Sequence, residues 1–470
     1  MASTRFLSCV LLLLTGCAFE KKSEKPIFIE TTIPSDWSEG AEEPSELLFP
    51  FHAPEVEKWF ELAQEKNPSF LQAVEAVKAL RQRELISQSS RIPLLNWGID
   101  GSHRQSHLEK KDSSFRSVSH ALNFGLSWEA DLWGRLGELS DVEKANRNIG
   151  ELDRESMRIS LLRQISLRWL SFYEYQQRYL LIEKELQVLN RLSEVYRLDL
   201  QIDTEASTRF LTVQRRVRNL KIQQRDLQSF QAEENILLRE LLGGKEISTR
   251  DLPVSATQLK LTALGTSSLQ QILGRPDVLR SGQKLKANLS HQRASNLAWW
   301  PRLRFSLSGG VSSKRLKSLL DTDYLVWTLA SSISQELFQG KRKEAEKALA
   351  ESNVKSSLHH CVEVVLNALS EVDLAIERDQ GHRHALELLL AQGKDLKRIE
   401  QQWKDQFQSG DGGVGQGLEV QLDLVSLEQQ TLLREVSQAR NRLDLYFALG
   451  GGFEGLDGVH PPKLAKGESF

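Results

Sequence analysis

Cysteine, methionine and any excess of one charge are scarce in this chain of 470 residues. Two methionines, one of them the initiator, exclude a methionine-lined path for soft metal ions. The 61 basic and 63 acidic residues leave a net charge of −2 with both signs mixed throughout, so the basic surface that a nucleic acid needs is missing. HExxH, GxSxG and Walker sequences are absent, and the chain reads as a non-enzyme with no cofactor and no resident metal. His103 and His107 would stand ~13 Å apart on a strand, too far to share an ion. His359, His360, His382 and His384 fall on a long helix as solvated or packed residues.

The N-terminal apolar run, Phe6 to Leu14, is too short for a membrane-crossing helix of ~20 residues. With Arg5 before it and small residues after it, it reads as a secretory signal over residues 1–17. Its ending LTGC resembles the bacterial lipobox, which makes Cys17 the acceptor of a covalent lipid; a chance cysteine after an ordinary signal is the alternative. Cys9 leaves with the signal and Cys361 then has no partner, so no intrachain disulfide forms. Residues 18–54 are polar and aperiodic, as expected of an extended tether.

The remainder is written twice. Pro68, Pro93 and Gly101 recur as Pro276, Pro301 and Gly309 at an offset of 208. Ser127, Glu129, Tyr196 and LLGG from Leu241 recur as Ser334, Glu336, Trp403 and ALGG from Ala448 at 207. The body is therefore expected to be a tandem duplication, 55–246 and 262–453, with a connector at 247–261 and a tail at 454–470.

In each copy a helix stops before a proline and the apolar period changes from 3.6 to 2. Leu95, Trp97 and Ile99 alternate with polar or small residues, and Leu122, Phe124, Leu126 and Trp128 do so on the return. Leu303, Phe305, Leu307, Trp327 and Leu329 repeat the pattern, which predicts hairpins at about 94–131 and 302–338. A soluble sheet with one buried face would alternate in the same way. Trp97, Trp128, Trp133, Trp299, Trp300 and Trp327 beside these strands favour a membrane β-barrel instead. Four strands cannot close a barrel, so the barrel requires several copies.

Long helices are predicted at 136–198 and 341–407, with return helices at 211–242 and 418–449. Cys361, Val365, Ala368, Val372 and Ala375 follow a 4-3-4-3 spacing, a coiled-coil seam in which Cys361 is a packed core residue. Between the second pair lies SGDGGVGQG, Ser409 to Gly417. No Lys-Ser or Lys-Thr follows its last glycine, so it is a helix-to-helix turn rather than a phosphate loop. Its glycines suggest that the second hairpin is the mobile one.

LTGC, NPSFLQA, RPDV, SWEADLWGR (127–135), SQELFQGKR (334–342) and YFALGGGF (446–453) resemble the TolC-type outer-membrane factor family, and its lipoprotein members in particular. The resemblance implies an α+β membrane protein: a homotrimer with a twelve-stranded outer-membrane barrel continued by a twelve-helix periplasmic tunnel. It implies a passive exit duct for small toxic solutes, partnered by a periplasmic adaptor and an inner-membrane transporter of the resistance-nodulation-division type, with outer-membrane lipid around it. A duct for type I protein secretion and a periplasmic coiled-coil adaptor are the alternatives. The first hairpin tip, DLQIDTEASTRF (199–210), and Phe453 depart from the family pattern.

On this reading Asp100, Glu129, Asp131, Arg304 and Glu336 line the lumen. Asp405, Asp411 and Glu419 stand at the periplasmic tip, either as rings that tune cation passage or as solvated turn residues.

Overall fold

The computed structural model describes residues 28–29, 49–51, 53–108, 113–199, 206–246, 269–313, 325–453, 455–456, 459 and 463–464. Cys17, most of the tether, the connector 247–261 and residues 200–205 of the first hairpin tip lie outside these. A short strand, β1 (Phe28–Ile29), pairs in parallel with β6 (Lys463–Leu464) as a small unit of its own. The main body runs α1 (Pro54–Lys66), α2 (Pro68–Ser89), β2 (Leu94–Leu108), β3 (Ser113–Ala130), α3 (Arg135–Asp199) and α4 (Ala206–Leu241). It continues with α5 (Leu269–Leu273), α6 (Pro276–Leu297), β4 (Arg302–Ser313), β5 (Leu325–Ser334), α7 (Arg342–Ser409) and α8 (Val414–Ala448). The order helix, hairpin, long helix, return helix thus occurs in both halves.

Local chemistry sets the ends. Asn67 caps α2 by accepting from the Phe70 amide at 3.0 Å, with Pro68 in the first turn, where its missing N–H costs nothing. Pro276 and Asp277 open α6 in the same position, the acid complementing the helix dipole. Both return helices end in a Schellman turn. Gly244 donates to Arg239 O at 2.8 Å and Gly451 to Tyr446 O at 2.8 Å, the same bond 207 residues apart. Gly243 (φ 67°) and Gly450 (φ 85°) occupy the left-handed position that a side chain would strain.

The residues before the two prolines do more than cap. The Asn67 side-chain amide donates to Leu241 O at 2.9 Å, and Arg275 Nη1 donates to Ala448 O at 2.9 Å. Each bond fastens the start of a short helix to the end of a return helix. The short and return helices therefore stack end to end as jointed columns, α4 with α2 and α8 with α6. Arg275 is buried and also reaches Asp277 and Glu371, each at 2.8 Å. Burial opposes its charge, and the hydrogen bonds and charges of those two carboxylates outweigh it, raising its pKa above the usual value.

Continuous helices stand beside the jointed columns. α3, with 65 residues, and α7, with 68, are each about 100 Å long at 1.5 Å per residue. Near the sheet, α3 packs between α2 and α6, and α6 also packs on α7. Away from the sheet, α3 packs between α4 and α8, and α8 on α7. One core joins Trp59, Trp169, Phe172, Leu242 and Leu443 around the first joint, with Phe51 stacked on Trp169 at 5.3 Å. A second, nearer the tip, joins Leu189, Leu192, Val217, Leu418 and Leu422.

The expected seam is observed: Cys361, Val365, Ala368, Val372 and Ala375 are all buried. Ser281 donates to Cys361 Sγ at 3.2 Å, and burial pushes the thiol pKa up, so the group is inert. The spacing continues to Asp379, whose side chain is fully buried. Its carboxylate accepts from Arg442 Nε at 2.9 Å and Gln438 Nε2 at 3.2 Å, and Arg383 Nε stands 2.8 Å from its other oxygen. A buried charge on an apolar seam adds little net stability, but a shifted register would leave it unpaired, so it holds α7 and α8 in alignment.

Arg275→Ala should lower the stability of the folded chain by about 3 kcal/mol, because it orphans the Ala448 carbonyl and removes a buried, packed side chain. Asn67→Ala at the equivalent joint should cost only about 1–2 kcal/mol. Equilibrium unfolding in detergent would check this; equal losses at the two joints would contradict it.

Candidate conduit wall and its tip

The sheet has the order β2-β3-β4-β5, all antiparallel, with β2 and β5 as open edges among the described residues. Directly paired residues share a face, so the register can be read across it. Trp97 pairs with Phe124, Phe124 with Gly309 and Gly309 with Trp327. Leu95, Leu126, Leu307 and Leu329 form the next row, and Trp128 and Phe305 stack at 5.7 Å in the one after. One face is therefore apolar across these rows, Ser331 beside Phe305 excepted, and bare: Trp97 is 70% exposed and Trp327 68%. Pairing in β2 and β3 continues past Ile99 and Leu122 to Leu108 and Ser113, well beyond the end of the apolar alternation. Backbone hydrogen bonds do not need apolar side chains, so the hairpin fills the expected 94–131 although its outer part does not alternate.

The other face carries three of the five expected lumen residues. Glu129 pairs with Arg304 in the sheet, its carboxylate 3.5 Å from Arg304 Nε and 2.7 Å from Arg135 Nη2. Asp100 accepts from Asn123 Nδ2 at 2.7 Å. Asp131 and Glu336 lie just past the strand ends at Ala130 and Ser334. Asp131 caps α3, accepting from Leu136 N at 3.0 Å and Gly137 N at 2.8 Å. Glu336 uses its backbone carbonyl as acceptor for Lys343 Nζ. Phe338 stands where the repeat would put the capping acid, and Lys341, at the N-cap of α7, supplies no side-chain bond.

The tryptophans brace this junction. Trp128 Nε1 donates to Arg91 O at 2.9 Å, and Gln335, its counterpart, donates to Trp299 O at 3.1 Å. Trp133 donates to Pro301 O at 2.8 Å and packs on Trp300 with ring centroids 4.8 Å apart. The Lys343 ammonium lies 5.0 Å over the Trp299 ring.

At the far end the three expected tip carboxylates divide. Asp405 is exposed on the last turns of α7 and accepts from Gln401 at 3.0 Å, and Asp411 is exposed in the turn. Glu419 is held across to the first hairpin, accepting from the Tyr196 hydroxyl at 2.8 Å. Arg209 lies 5.7 Å over the Tyr196 ring. A cleft of about 390 Å³ opens here, lined by Leu192, Tyr196, Arg216, Glu419 and Asp423 among others.

Tyr196 and Trp403, matched by the repeat, were not read as site residues, yet both grip the start of α8. Trp403 Nε1 donates to Gly413 O at 3.0 Å and stacks on Phe407 at 5.4 Å. A Cβ on Gly417 would collide with the Trp403 indole, and the Tyr196 ring lies beside Gly415. Gly410 closes α7 in the left-handed conformation, φ 87°. Gly417 thus makes room for a ring and Gly410 for a cap, while Gly413 stands in open space. The first tip, at residues 200–205, lies outside the described residues. Phe453, the departure at the other end, packs partly buried near Leu152, Leu279 and Val459.

A sheet with one bare apolar face, set on paired helical columns of about 100 Å, is a segment of a membrane channel wall rather than a catalytic domain. Among the described residues no helix is long and apolar enough to cross a membrane, so the sheet is the element with a lipid-compatible face. The model of the family described as outer membrane efflux protein matches residues 59–244 and 269–451, and the chain belongs to that family. Outer membrane protein OprJ of Pseudomonas aeruginosa is 25% identical over 421 residues, covering 85% of each chain. Cation efflux system protein CusC of Escherichia coli K12 is 25% identical over 472 residues, covering 94% of this chain and 98% of its own. The open-state MtrE outer membrane channel of Neisseria gonorrhoeae superimposes with a TM-score of 0.78 at 22% identity, over 92% of this chain and 96% of that one. The family is one of outer-membrane channel proteins, and this chain is an efflux exit duct of the outer membrane.

Gly417→Leu should unseat Trp403 and raise proteolytic cleavage of the 403–417 segment by on the order of tenfold. Gly413→Ala should leave the rate unchanged, since open space surrounds that position and its φ of −83° suits any residue. Limited proteolysis of the detergent-solubilised chain would compare them; equal cleavage of both variants would contradict the packing role.

Proposed function

We propose that the chain works as a homotrimer whose three sheets close a twelve-stranded barrel and whose helical columns continue it as a twelve-helix tunnel. The observation that carries this reading is the open sheet: among the described residues β2 and β5 are unpaired edges beside a bare apolar face. In lipid each unsatisfied backbone group costs several kcal/mol, and joining β5 of one copy to β2 of the next removes every edge. Leu211, Ile222 and Ile236 on α4, and Leu374, Leu388 and Leu390 on α7, are likewise exposed at the two sides of the helical wall. The matching joints, Schellman turns and tryptophan-type braces support descent of both halves from one duplicated unit.

In this assembly Asp100, Glu129 and Arg304 face the lumen, while Asp405 and Asp411 ring the periplasmic mouth. Cys17 carries the lipid anchor. Small toxic solutes pass outward without covalent change, delivered by an inner-membrane transporter of the resistance-nodulation-division type through a periplasmic adaptor that meets the tip. No step needs a cofactor or a resident metal.

The purified chain should run as a detergent-stable trimer that heat converts to monomer, and should form cation-preferring channels in planar bilayers. Replacing Asp405 and Asp411 by alanine should weaken block by a trivalent cation added on the tip side by about threefold or more. Salt-extractable monomers without conductance would overturn the duct assembly, and unchanged block would overturn the ring.

A further inference from the structure

The bare face of the sheet changes character along its length. From the helix end it passes through Ala130 and Leu303, Trp128 and Phe305, Leu126 and Leu307, then Leu122 and Val311. From Ala130 to Leu122 is about 27 Å along a strand, and a tilt of 35–45° reduces that to roughly 20 Å of depth. This approaches the ~25 Å apolar band of an outer-membrane barrel. In the next row His120 pairs with Gly101 on one side and Ser313 on the other. Then His103 stands opposite Val118, and the register sets Gln105 opposite Arg116. By the alternation of the strands these positions continue the face of Trp97 and Phe124. Imidazole and amide thus replace hydrocarbon at the point where the band ends.

The two rims of the band differ. At the helix rim stand Trp128, Trp133, Trp299 and Trp300, the amphipathic rings that suit a phospholipid interface. At the hairpin rim His103 is exposed and His120 half-buried, on diagonal positions about 7–8 Å apart. Beyond that row β2 and β3 go on pairing with each other to Leu108 and Ser113. An outer membrane is unequal in the same sense, with phospholipid on the periplasmic side and phosphorylated glycolipid outside. If the helices lie in the periplasm, the histidine rim meets the glycolipid.

We propose that His103, Gln105 and His120 form an outward-facing contact for the phosphate groups of the outer-leaflet glycolipid. Imidazole N–H and amide N–H groups donate to phosphate oxygens, and a phosphate that accepts them lies directly above its own acyl chains, which cover the Leu122 and Val311 row. The contact would fix the depth and orientation of the barrel, and it rests on the barrel reading given above.

The test uses the full chain in nanodiscs of phosphatidylethanolamine and phosphatidylglycerol containing trace lipid A, with retained lipid counted by native mass spectrometry. The wild-type chain should retain bisphosphorylated lipid A at least about fivefold over the dephosphorylated form. His103→Ala/His120→Ala should abolish that preference while phospholipid retention and single-channel conductance stay unchanged. A conducting wild-type channel with no phosphate preference, or a double variant that keeps the preference, overturns the contact and leaves the barrel standing. A chain that neither inserts nor conducts overturns the barrel reading and the contact with it.

Discussion

Two hydrogen bonds of the same length hold the helical architecture in register: Asn67 to Leu241 O and Arg275 to Ala448 O. Each joins the amino end of a short helix to the carboxyl end of a return helix, where carbonyls would otherwise lack partners. Because the joints exist, the columns α4–α2 and α8–α6 match the reach of the unbroken helices α3 and α7. With the packing of α2 and α6 on α3, the joints set the height at which the hairpins that follow Pro93 and Pro301 begin, and so help bring the strands edge to edge.

The two halves solve the joint with different chemistry. Asn67 is a small neutral donor that also caps its own helix, whereas Arg275 brings a buried charge that Asp277 and Glu371 must neutralise. The same divergence recurs at the foot of the hairpins. Asp131 caps α3, but Phe338 fills the equivalent place before α7 and leaves a cationic, uncapped start at Lys341, Arg342 and Lys343. The halves thus share a backbone and differ in electrostatics, so neighbouring columns of the wall are not equivalent.

Much of this was legible from residue order. Periodicity and prolines located every long helix to within a few residues, and the seam from Cys361 to Ala375 is buried as its spacing required. The apolar rows of the sheet followed from alternation alone. What escaped was of two kinds. Polar residues that bury themselves, such as Asp379 and Arg275, look like surface residues until their partners are known, and those partners lie far along the chain. Residues at element ends are ambiguous too: Asp131 and Glu336 continue the strand alternation on paper, yet they fall just past it, where a helix cap or a loop claims them. The glycines of the second tip hid the Trp403 contact for a related reason, since permissive backbone and room for a ring leave the same mark in a sequence.

The jointed columns also determine how a push at the tip is transmitted. Of the four columns in the wall, α3 and α7 are unbroken covalent rods, while the other two pass any axial or twisting load through a joint centred on one side chain. Load along α3 and α7 therefore passes to the sheet without a break, whereas the columns beside them can yield at Asn67 and Arg275, so the wall alternates stiff and compliant members.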